Sequence, residues 1–468
     1  MIPVTSMQGK TAAVLGLGRS GLSACRALCE GGARVWAWDD VFERRADAAA
    51  AGVPIVDLDI CNWARVDRLV VSPGVPHRRP RPHRLVRRAR AAGVTVVGDV
   101  ELMAENQPGR RIVAVTGTNG KSTTSALVAE LLAGTGLGVQ LGGNIGLPVL
   151  DLLPKPEDDI YVLELSSYQL ELTERLACAV AVILNLSPDH LERHGGMAGY
   201  ARAKRRILRN QKASDWAVIG VDDDHGRALI KELRARRQQQ VVAISAGRRL
   251  RRGVYVLDGR LYDAFDGPAQ MVADLRRIET LRGRHNWQNA AAAYAAARAS
   301  GIAPEVAAAG LARFEGLPHR LETVAMIDGV RFVNDSKATN PEAAAQALDA
   351  FEHIYWIAGG RPKAASLEPL LPRLGRVRHA YLIGEAAEAF HEALAERVAC
   401  SIEADLASAV RRATEQALHD HDGERVVLLA PACASFDQFR DFEARGEAFK
   451  ALVAEVTAQA APVAAGEW

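Results

Sequence analysis

The sequence is poor in aromatic residues, in cysteines and in long apolar runs. Aromatic residues make up 5% of the 468 positions, and no two of the 6 cysteines are spaced as a Cys-x-x-Cys pair. This cysteine pattern argues against a structural zinc site and for a reducing compartment. Because no apolar run could cross a bilayer and no signal peptide opens the chain, we expect a cytoplasmic protein without a membrane span.

The sequence also lacks a strong excess of either charge. The formal net charge is +2, which gives no reason to expect a nucleic-acid partner. One basic cluster runs from His77 to Arg90, and we interpret it as a solvated loop and helix face. The abundance of alanine and an apolar fraction of 49% are typical of globular proteins in which helices pack on a sheet. The length suggests about two to four domains.

The most informative stretch runs from Arg111 to Ser125. Its apolar residues Ile112 to Val115 predict a buried strand, and the apolar spacing from Ser125 to Gly134 predicts a helix. A glycine-rich turn with one lysine and several hydroxyl groups lies between them: Gly117, Thr118, Asn119, Gly120, Lys121, Ser122 and Thr123. Such a turn binds phosphate, since its backbone N–H groups and the helix dipole face the anion.

Two side chains of this turn have a predicted chemical role. Lys121 can reach the β- and γ-phosphates of a nucleotide, and the hydroxyl of Ser122 can ligate Mg²⁺. Gly117 lies closer to Gly120 than the strict phosphate-binding pattern requires. The strand before the turn and the helix after it favour a nucleotide-phosphate site over an ordinary turn.

A second glycine-rich turn lies near the start of the chain. A predicted strand is followed by Gly16-Leu17-Gly18-Arg19-Ser20-Gly21, and the next strand, Arg34–Trp38, ends at Asp39. This spacing fits a dinucleotide fingerprint and would suggest NAD, but the same turn can hold any nucleotide diphosphate. A third strand, Arg68–Val71, leads into a turn that contains Gly74. We predict a small doubly wound α/β domain with its ligand at the strand C-termini.

Polar side chains follow two strands that come after the phosphate turn. Glu164 ends a short apolar strand, where a Mg²⁺ ligand is needed beside a phosphate turn. His190 follows the strand Val180–Leu184 and is a candidate metal or substrate ligand. Lys204 lies in Tyr200–Arg209, which has the pattern of a basic amphipathic helix, and by spacing alone it is one surface lysine among arginines.

The rest of the chain continues the alternation of strands and helices. Asn289 lies at the start of an alanine-rich helix, where it fits a helix cap as well as a base contact. From about residue 317 onward, polar residues again follow predicted strands, as in Asp335-Ser336-Lys337-Ala338-Thr339. This pattern predicts a third mainly parallel, doubly wound sheet with its ligand edge at the strand C-termini.

A series of motifs extends in order over nearly the whole chain. They are GLGRSG, TGTNGKST, GGNIG, LELSSYQL, LNLSPDHLERHG, YARAKRRI, GRHNWQNA, GLPHRLE, NDSKATNP, AGGRPK and PACASFDQF. The series resembles the Mur ligases, and within that family it is most similar to the branch that adds glutamate. The resemblance implies three doubly wound α/β domains: a Rossmann-like UDP-substrate domain at 1–106, a P-loop ATPase-like central domain at 107–316 and a Rossmann-like glutamate domain at 317–468.

The resemblance also implies a reaction of peptidoglycan precursor synthesis. ATP would convert the carboxylate of UDP-N-acetylmuramoyl-L-alanine to an acyl phosphate, and the amine of glutamate would then displace the phosphate to form an amide. The family pattern includes two Mg²⁺ sites and a carbamylated lysine at the position of Lys204, which turns a cation into a metal-ligating carboxylate. We expect a monomer whose third domain closes over the ATP site.

The family roles fall on matching residues of this sequence. The catalytic residues would be Lys121, His190 and Lys204, and the metal ligands would be Ser122, Glu164, His190 and Lys204. ATP would contact residues 117–123 together with Asn289, Arg320 and Asp335. The UDP-muramoyl substrate would contact Ser20, Asp39, Gly74, Asn144, Ser166 and His190. Glutamate would contact Lys337, Thr339, Lys363, Ser435 and Phe442.

Two departures from the family pattern lie in the predicted glutamate pocket. Arg361-Pro362 stands where an acid or small residues are common, and Phe436 is bulkier than some counterparts. They leave open whether the amino acid is D-glutamate, the family default, or L-glutamate, which a similar subfamily joins before a separate epimerase acts.

Other hypotheses are open at this stage. A sister Mur ligase or a folylpolyglutamate synthase-like ligase would share the ATP chemistry, although the DSKATN stretch favours the glutamate-adding branch. An NAD-dependent oxidoreductase built on the first turn would leave Lys121, Glu164 and His190 without a role. A non-catalytic nucleotide-binding regulator would not need both an ATP site and an amine-holding domain.

Overall fold

The structure is a computed structural model that describes residues 1–154, 156, 158–362, 366–421 and 423–460. Within these residues the strands form three sheets. Most strand pairs are parallel, so the prediction of an α/β protein with mainly parallel sheets is confirmed. Each of the cysteines is a free thiol. No helix in the described residues is both long enough and apolar enough to cross a membrane.

The first sheet lies at the start of the chain, where its strands were predicted. Its strands are β1 Thr11–Leu15, β2 Arg34–Trp38, β3 Arg68–Val71 and β4 Thr95–Val97, and its helices are α1 Arg19–Glu30, α2 Phe42–Ala50, α3 Arg84–Ala91 and α4 Asp99–Asn106. The strand order is β2-β1-β3-β4, with parallel pairing. Every residue of β1 is buried, as expected for a strand covered on both faces.

The second sheet carries the phosphate turn. Its strands are β5 Arg111–Thr116, β6 Val139–Gly143, β7 Ile160–Glu164, β8 Val180–Ile183, β9 Trp216–Gly220, β10 Gln240–Ala246, β11 Gly253–Leu257, β12 Arg260–Ala264 and β13 Gln270–Asp274. Their order is β13-β12-β11-β10-β9-β8-β5-β7-β6. Since β5 lies between β8 and β7, the C-terminal ends of these three parallel strands are neighbours. Beyond β11, which is parallel to β10, the strands β12 and β13 extend the sheet by antiparallel pairing.

The helices around the second sheet supply several of the candidate residues. They are α5 Lys121–Ala133, α6 Ser167–Leu170, α7 Leu191–His194, α8 Met197–Arg205, α9 Asp224–Arg236, α10 Arg284–Ala299 and α11 Pro304–Arg313. Gly142 and Gly143, the first two residues of the GGNIG motif, end β6 and pair with β7. A glycine-rich end of an edge strand gives no apolar signal in the sequence.

The third sheet follows the same mainly parallel plan. Its strands are β14 Glu322–Ile327, β15 Val330–Asn334, β16 Ile354–Gly359, β17 Val377–Ile383, β18 Cys400–Ile402 and β19 Arg425–Leu429, and its helices are α12 Pro341–Leu348, α13 Ala387–Leu394, α14 Leu406–His419 and α15 Phe442–Ala460. The order is β14-β15-β19-β16-β17-β18, with β14 antiparallel to β15. The sequence patterns did not predict β14 or β18.

The chain divides into two compact units. The first unit is Met1–Leu275 with Trp287–Phe314, and the second is Arg276–Asn286 with the chain from Glu315 onward. The first two sheets share the first unit, where one buried cluster includes Val14 of β1 and Leu163 of β7. Each predicted domain contains one sheet, and the predicted domain boundaries stay a prediction.

Candidate active site

The phosphate turn joins β5 to α5, as predicted, but the helix begins earlier than its apolar spacing indicated. Gly120 has a φ of 84°, a left-handed conformation that favours glycine, and α5 starts at Lys121. A Cβ atom on Gly120 would lie 2.1 Å from Oδ1 of Asn289. Asn289 is buried, and its Oδ1 also accepts a hydrogen bond of 3.3 Å from Thr124 Oγ1. Asn289, which was predicted to contact the nucleotide, therefore packs directly on the phosphate turn.

Two lysine side chains meet at one backbone carbonyl of this turn. Lys121 Nζ donates to the carbonyl oxygens of Thr118 at 2.7 Å and Gly117 at 3.1 Å. Lys204 Nζ donates to the same Gly117 oxygen at 2.6 Å and to Thr116 Oγ1 at 3.3 Å. The two amines thus share one backbone acceptor of the turn, which places Lys121 and Lys204 next to each other.

The interpretation of Lys204 as a surface lysine is wrong. Lys204 is only 1% exposed, and its Nζ lies 4.7 Å from the ring centre of Tyr200. Burial and the charge of Lys121 hold the pKa of Lys204 well below its ordinary value, against the opposite effect of Asp189 and Glu164. A buried lysine with a lowered pKa has more of the neutral amine, the form that reacts with CO₂ to give a carbamate.

Glu164 lies at the end of β7, directly beside the strand that leads into the phosphate turn. It is 1% exposed, so it is not an ordinary surface glutamate. Its Oε1 accepts from Asn144 Nδ2 at 2.7 Å, which brings together a predicted metal ligand and a predicted substrate residue. Its Oε2 is buried without a hydrogen-bond partner among the described residues.

A buried carboxylate oxygen without a partner is costly, and a divalent cation would satisfy it. The residues present therefore fit Mg²⁺ at Glu164. Among the described residues, no group of three or more His, Cys, Asp or Glu side chains is placed to hold a metal ion. Further ligands would have to come from a hydroxyl such as that of Ser122, from phosphate oxygens, or from a carbamate.

His190 follows β8 and remains accessible. Its backbone has a φ of 50°, and its side chain is 51% exposed. The imidazole lies 5.0 Å from the ring of Tyr168, centre to centre, and its Nε2 is 3.5 Å from Asp189 Oδ2. About half of the imidazole side chain is therefore open to solvent.

The first glycine-rich turn has a different environment. Gly16 has a φ of 92°, and its carbonyl oxygen accepts from Ser72 Oγ at 2.7 Å. The two carboxylate oxygens of Asp39 accept from the backbone N–H of Leu17 at 2.7 Å and of Val41 at 2.9 Å. Asp39 therefore braces this turn and is buried, which leaves it poorly placed to bind the ribose hydroxyl of a dinucleotide.

Other predicted substrate residues lie around this turn and the segment after β6. Ser20 is half-buried at the start of α1, and Gly74 is exposed after β3. Arg19, next to Ser20, donates to the carbonyl oxygen of Gly146 in the segment that holds Asn144. Ser166 caps the short helix α6 through its own side chain.

In the second unit, several of the residues that were predicted to bind the substrate glutamate lie together. Lys337 Nζ is 3.6 Å from the ring centre of Phe442, and the backbone N–H of Thr339 donates to Lys337 O at 2.7 Å. Ser435 is buried, whereas Phe436 is 59% exposed. Lys363 lies outside the described residues. Arg361, one of the departures from the family pattern, forms an exposed ion pair of 2.7 Å with Glu385.

Arg320 and Asp335 also lie close to each other within the second unit. Burial raises the pKa of Asp335 to about 7, although Arg320 and a hydrogen bond from Leu321 N–H act to lower it. The sequence did not single out Arg445, which is 1% exposed and donates to Ser336 Oγ at 3.0 Å and Cys433 O at 3.1 Å. An arginine within a helix pattern carries no signal of such burial.

Sequence patterns also did not predict a chain of hydrogen-bonded side chains, most of them amides, that supports the phosphate turn. Asn119 N–H donates to Asn185 Oδ1 at 2.9 Å, and Asn185 Nδ2 donates to Gln288 Oε1 at 2.9 Å. Gln288 Nε2 then donates to Asp222 Oδ2 at 2.8 Å. This chain fixes the backbone of the turn from three distant parts of the sequence.

Two family models and several known proteins match the chain over most of its length. The Mur ligase middle domain matches residues 115–297, and the Mur ligase, glutamate ligase domain matches residues 319–433. The UDP-N-acetylmuramoylalanine--D-glutamate ligase of Caulobacter vibrioides is 53% identical over 464 residues, which cover 98% of each chain. The protein of the same name from Paramagnetospirillum magneticum is 50% identical over 97% of this chain and 98% of its own.

Solved structures of more distant proteins share the fold. MurF from Acinetobacter baumannii aligns with a TM-score of 0.58 at 20% identity, over 89% of this chain and 87% of its own. The UDP-N-acetylmuramate-alanine ligase MurC from Thermotoga maritima aligns with a TM-score of 0.56 at 18% identity, over 96% of this chain and 99% of its own.

Proposed function

Because the chain belongs to the Mur ligase family, we propose that it is an ATP-dependent, ADP-forming ligase that joins glutamate to UDP-N-acetylmuramoyl-L-alanine. The observation that carries this proposal is the convergence of Lys121 and Lys204 on the carbonyl of Gly117, with the buried carboxylate of Glu164 at the end of the adjacent strand. Such a turn suits phosphoryl transfer better than hydride transfer. The names of relatives that are about half identical over nearly their full length support the same reaction.

In the proposed reaction the protein mainly positions the reactants and neutralises charge. A carboxylate oxygen of the UDP-substrate forms a bond to the γ-phosphorus of ATP as the bond to the bridging oxygen breaks and ADP leaves. The amine nitrogen of glutamate then attacks the carbonyl carbon, loses a proton, and phosphate leaves. Lys121 stabilises the negative charge on the β- and γ-phosphates throughout the first step.

We propose that Ser122 and Glu164 hold one Mg²⁺, and that His190 and Lys204 hold a second. When bound, the cations neutralise phosphate charge and orient the reacting oxygens. Lys204 fits this role as a carbamate: its neutral amine adds to CO₂ and loses a proton, which gives a carboxylate-like group. The lowered pKa of Lys204 favours this addition, since more of the amine is unprotonated.

The remaining predicted residues are proposed to bind the two other substrates. Ser20, Asp39, Gly74, Asn144 and Ser166 would serve the UDP-muramoyl substrate, with Asp39 acting through the backbone of its turn. Lys337, Thr339, Lys363, Ser435 and Phe442 would serve glutamate. Nucleotide contacts are proposed for Asn289, Arg320 and Asp335. D-Glutamate is the proposed amino acid, because the relatives are named as D-glutamate ligases.

The test is phosphate release from ATP and Mg²⁺ in the presence of UDP-N-acetylmuramoyl-L-alanine and one amino acid. We expect turnover with D-glutamate and only background release with L-glutamate, L-alanine or diaminopimelate. Turnover with L-glutamate alone would reverse the proposed stereochemistry but keep the ligase reaction. Turnover with none of the four would contradict the proposed function.

A further inference from the structure

A buried polar network lies within the first unit, away from the phosphate turn. We call it the Glu171 network, and its side chains are those of His77, Ser167, Glu171, Arg193 and His194. His77 is 1% exposed, so the interpretation of the segment His77–Arg90 as a solvated face is wrong for this residue. Ser167, Arg193 and His194 are also buried.

Each member of the network fixes the hydrogen-bonding role of the next. Glu171 Oε1 lies 3.0 Å from His194 Nδ1, so Nδ1 carries the proton, and His194 Nε2 accepts from Ser167 Oγ at 2.9 Å. On the other side, Arg193 Nη2 lies 3.2 Å from His77 Nδ1, which makes that nitrogen the acceptor. His77 Nε2 lies 3.6 Å from Glu171 Oε2, which is too long for a hydrogen bond, so this link of the network is electrostatic.

The network joins three separate segments of the chain. Arg193 also donates to the carbonyl oxygens of Val75 at 3.0 Å and Arg79 at 3.1 Å. It therefore holds the segment after β3, which belongs to the first sheet, against the turn after β8, which belongs to the second. Ser167 and Glu171 attach the segment after β7 to the same point.

Each of these segments carries a residue proposed to bind the UDP-muramoyl substrate. Gly74 precedes Val75, Ser166 precedes Ser167, and His190 lies in the same turn as Arg193. The ring of Tyr168 adds contact between the segments, since it lies 5.0 Å from the His190 ring and 5.1 Å from the Arg193 guanidinium. The network thus connects the backbones of three proposed substrate contacts.

Burying a carboxylate, a guanidinium and two imidazoles adds little net stability, because desolvation offsets the gain from pairing. What such a network supplies is a preferred geometry, since Arg193 reaches Val75 O, Arg79 O and His77 Nδ1 together only when the segments after β3 and β8 lie as they do here. A fixed register between the two sheets would place the substrate carboxylate in line with the phosphate turn.

We propose that Glu171, acting through His194 and, by way of His77, through Arg193, is a positioning residue for the UDP-muramoyl substrate. It locks the segment after β3 onto the segments that carry Ser166 and His190. This inference rests on the proposed function, because it concerns the substrate of that reaction. It assigns no direct contact with the substrate to Glu171.

The test compares Glu171→Gln with Glu174→Gln. In Glu171→Gln the amide nitrogen faces an imidazole N–H, so one buried donor loses its acceptor. In the control, Glu174 is 60% exposed and pairs with Arg206 and Arg209 outside the network. We expect Glu171→Gln to raise the KM for UDP-N-acetylmuramoyl-L-alanine, and its Kd measured by calorimetry without ATP, by about tenfold. The KM values for ATP and glutamate should stay within about twofold, and the control should match the wild type.

An equal rise in all three KM values would assign Glu171 a merely structural role and overturn the inference. An unchanged KM and Kd for the UDP-substrate would also overturn it. If Glu171→Gln does not fold, Arg193→Lys provides the test, since a lysine cannot reach Val75 O, Arg79 O and His77 together, and the same selective loss is expected.

The wild type separates this inference from the proposed function. A wild-type protein that neither binds nor converts the UDP-substrate contradicts the proposed function and this inference with it. A wild-type protein that converts the substrate, with variants that bind it normally, contradicts the inference alone.

Discussion

The two glycine-rich turns of the first unit have similar backbones but are contacted by different side chains. Each follows a parallel strand, contains a glycine with positive φ and leads into a helix. The first turn is braced by a carboxylate, that of Asp39, whereas the second is approached by the amines of Lys121 and Lys204. The two turns therefore share a backbone plan and differ in the side chains that contact it.

This difference explains why a dinucleotide fingerprint is a poor guide to this protein. In an NAD site the acid after the second strand binds a ribose hydroxyl. Here both oxygens of Asp39 already accept backbone N–H groups. In the proposed function the first turn would hold the UDP-substrate without reacting with it, and the second turn would stabilise the phosphoryl group in transfer.

The largest effect is expected when the amine of Lys121 is removed from the second turn. We expect Lys121→Ala to lower the rate of phosphate release at saturating substrates by about 10³-fold, because the charge on the transferring group loses its fixed partner. The control is Lys231→Ala, which changes an exposed lysine on α9. Full turnover in Lys121→Ala would mean that the second turn does not act on phosphate.

A somewhat smaller loss is expected from Glu164→Gln. An amide oxygen lacks the charge that a divalent cation prefers, so activity should fall by about 10- to 100-fold and recover in part at higher Mg²⁺ concentration. The activity is measured as a Mg²⁺ titration beside Glu232→Gln, which alters a surface ion pair with Arg205. Unchanged Mg²⁺ dependence would remove Glu164 from the proposed metal site.

The first turn should respond differently to the loss of its carboxylate. In Asp39→Asn one backbone N–H of the turn loses its acceptor, so we expect the KM for the UDP-substrate to rise about tenfold while the KM for ATP stays constant. Asp40→Asn is the matched control, because Asp40 is half exposed and pairs with Arg84 at the surface. A rise in the KM for ATP would show that the two turns are not independent.

The smallest expected effect is a change in melting temperature when Lys204 is replaced. The unfolded chain binds a proton at Lys204 up to about pH 10.4, whereas burial lowers the pKa of the folded lysine. The unfolded state therefore binds more protons, and the free energy of unfolding of the wild type rises with pH towards that value. In CO₂-depleted buffer we expect Lys204→Met to melt a few degrees above the wild type at neutral pH.

This difference in melting temperature should narrow as the pH rises, because the variant lacks the lysine whose titration makes the stability of the wild type depend on pH. The measurement is thermal unfolding followed by circular dichroism across a pH series. A difference in melting temperature that widens with pH, or a variant less stable than the wild type at neutral pH, would contradict the assignment of a buried amine with a lowered pKa. Activity of the variant should be lost at every pH.

Local sequence signals predicted those parts of the site that lie in one continuous segment. The order of strand, glycines, Lys121 and helix predicts the phosphate turn, and the position of Glu164 at a strand end predicts its place next to that turn. Both predictions depend only on short-range periodicity and on the rule that strand C-termini meet at one edge of a parallel sheet.

The sequence could not reveal features that depend on which segments meet. Lys204 lies among arginines that remain at the surface, so its spacing indicates a solvated face, and only the packing of α8 against the turn buries it. The amide chain from Asn119 through Asn185 and Gln288 joins positions far apart in sequence. Asparagine and glutamine in such positions are equally common as caps and surface residues.

The most direct test of the account follows the oxygen atoms of the substrate. The UDP-substrate is prepared with ¹⁸O in the L-alanine carboxylate and incubated with ATP, Mg²⁺ and D-glutamate, and the released phosphate is examined by mass spectrometry. If the second turn transfers the γ-phosphoryl group to the carboxylate, each released phosphate carries one ¹⁸O atom. Released phosphate without ¹⁸O, alongside formation of the amide, would contradict an acyl phosphate and with it the role assigned to Lys121.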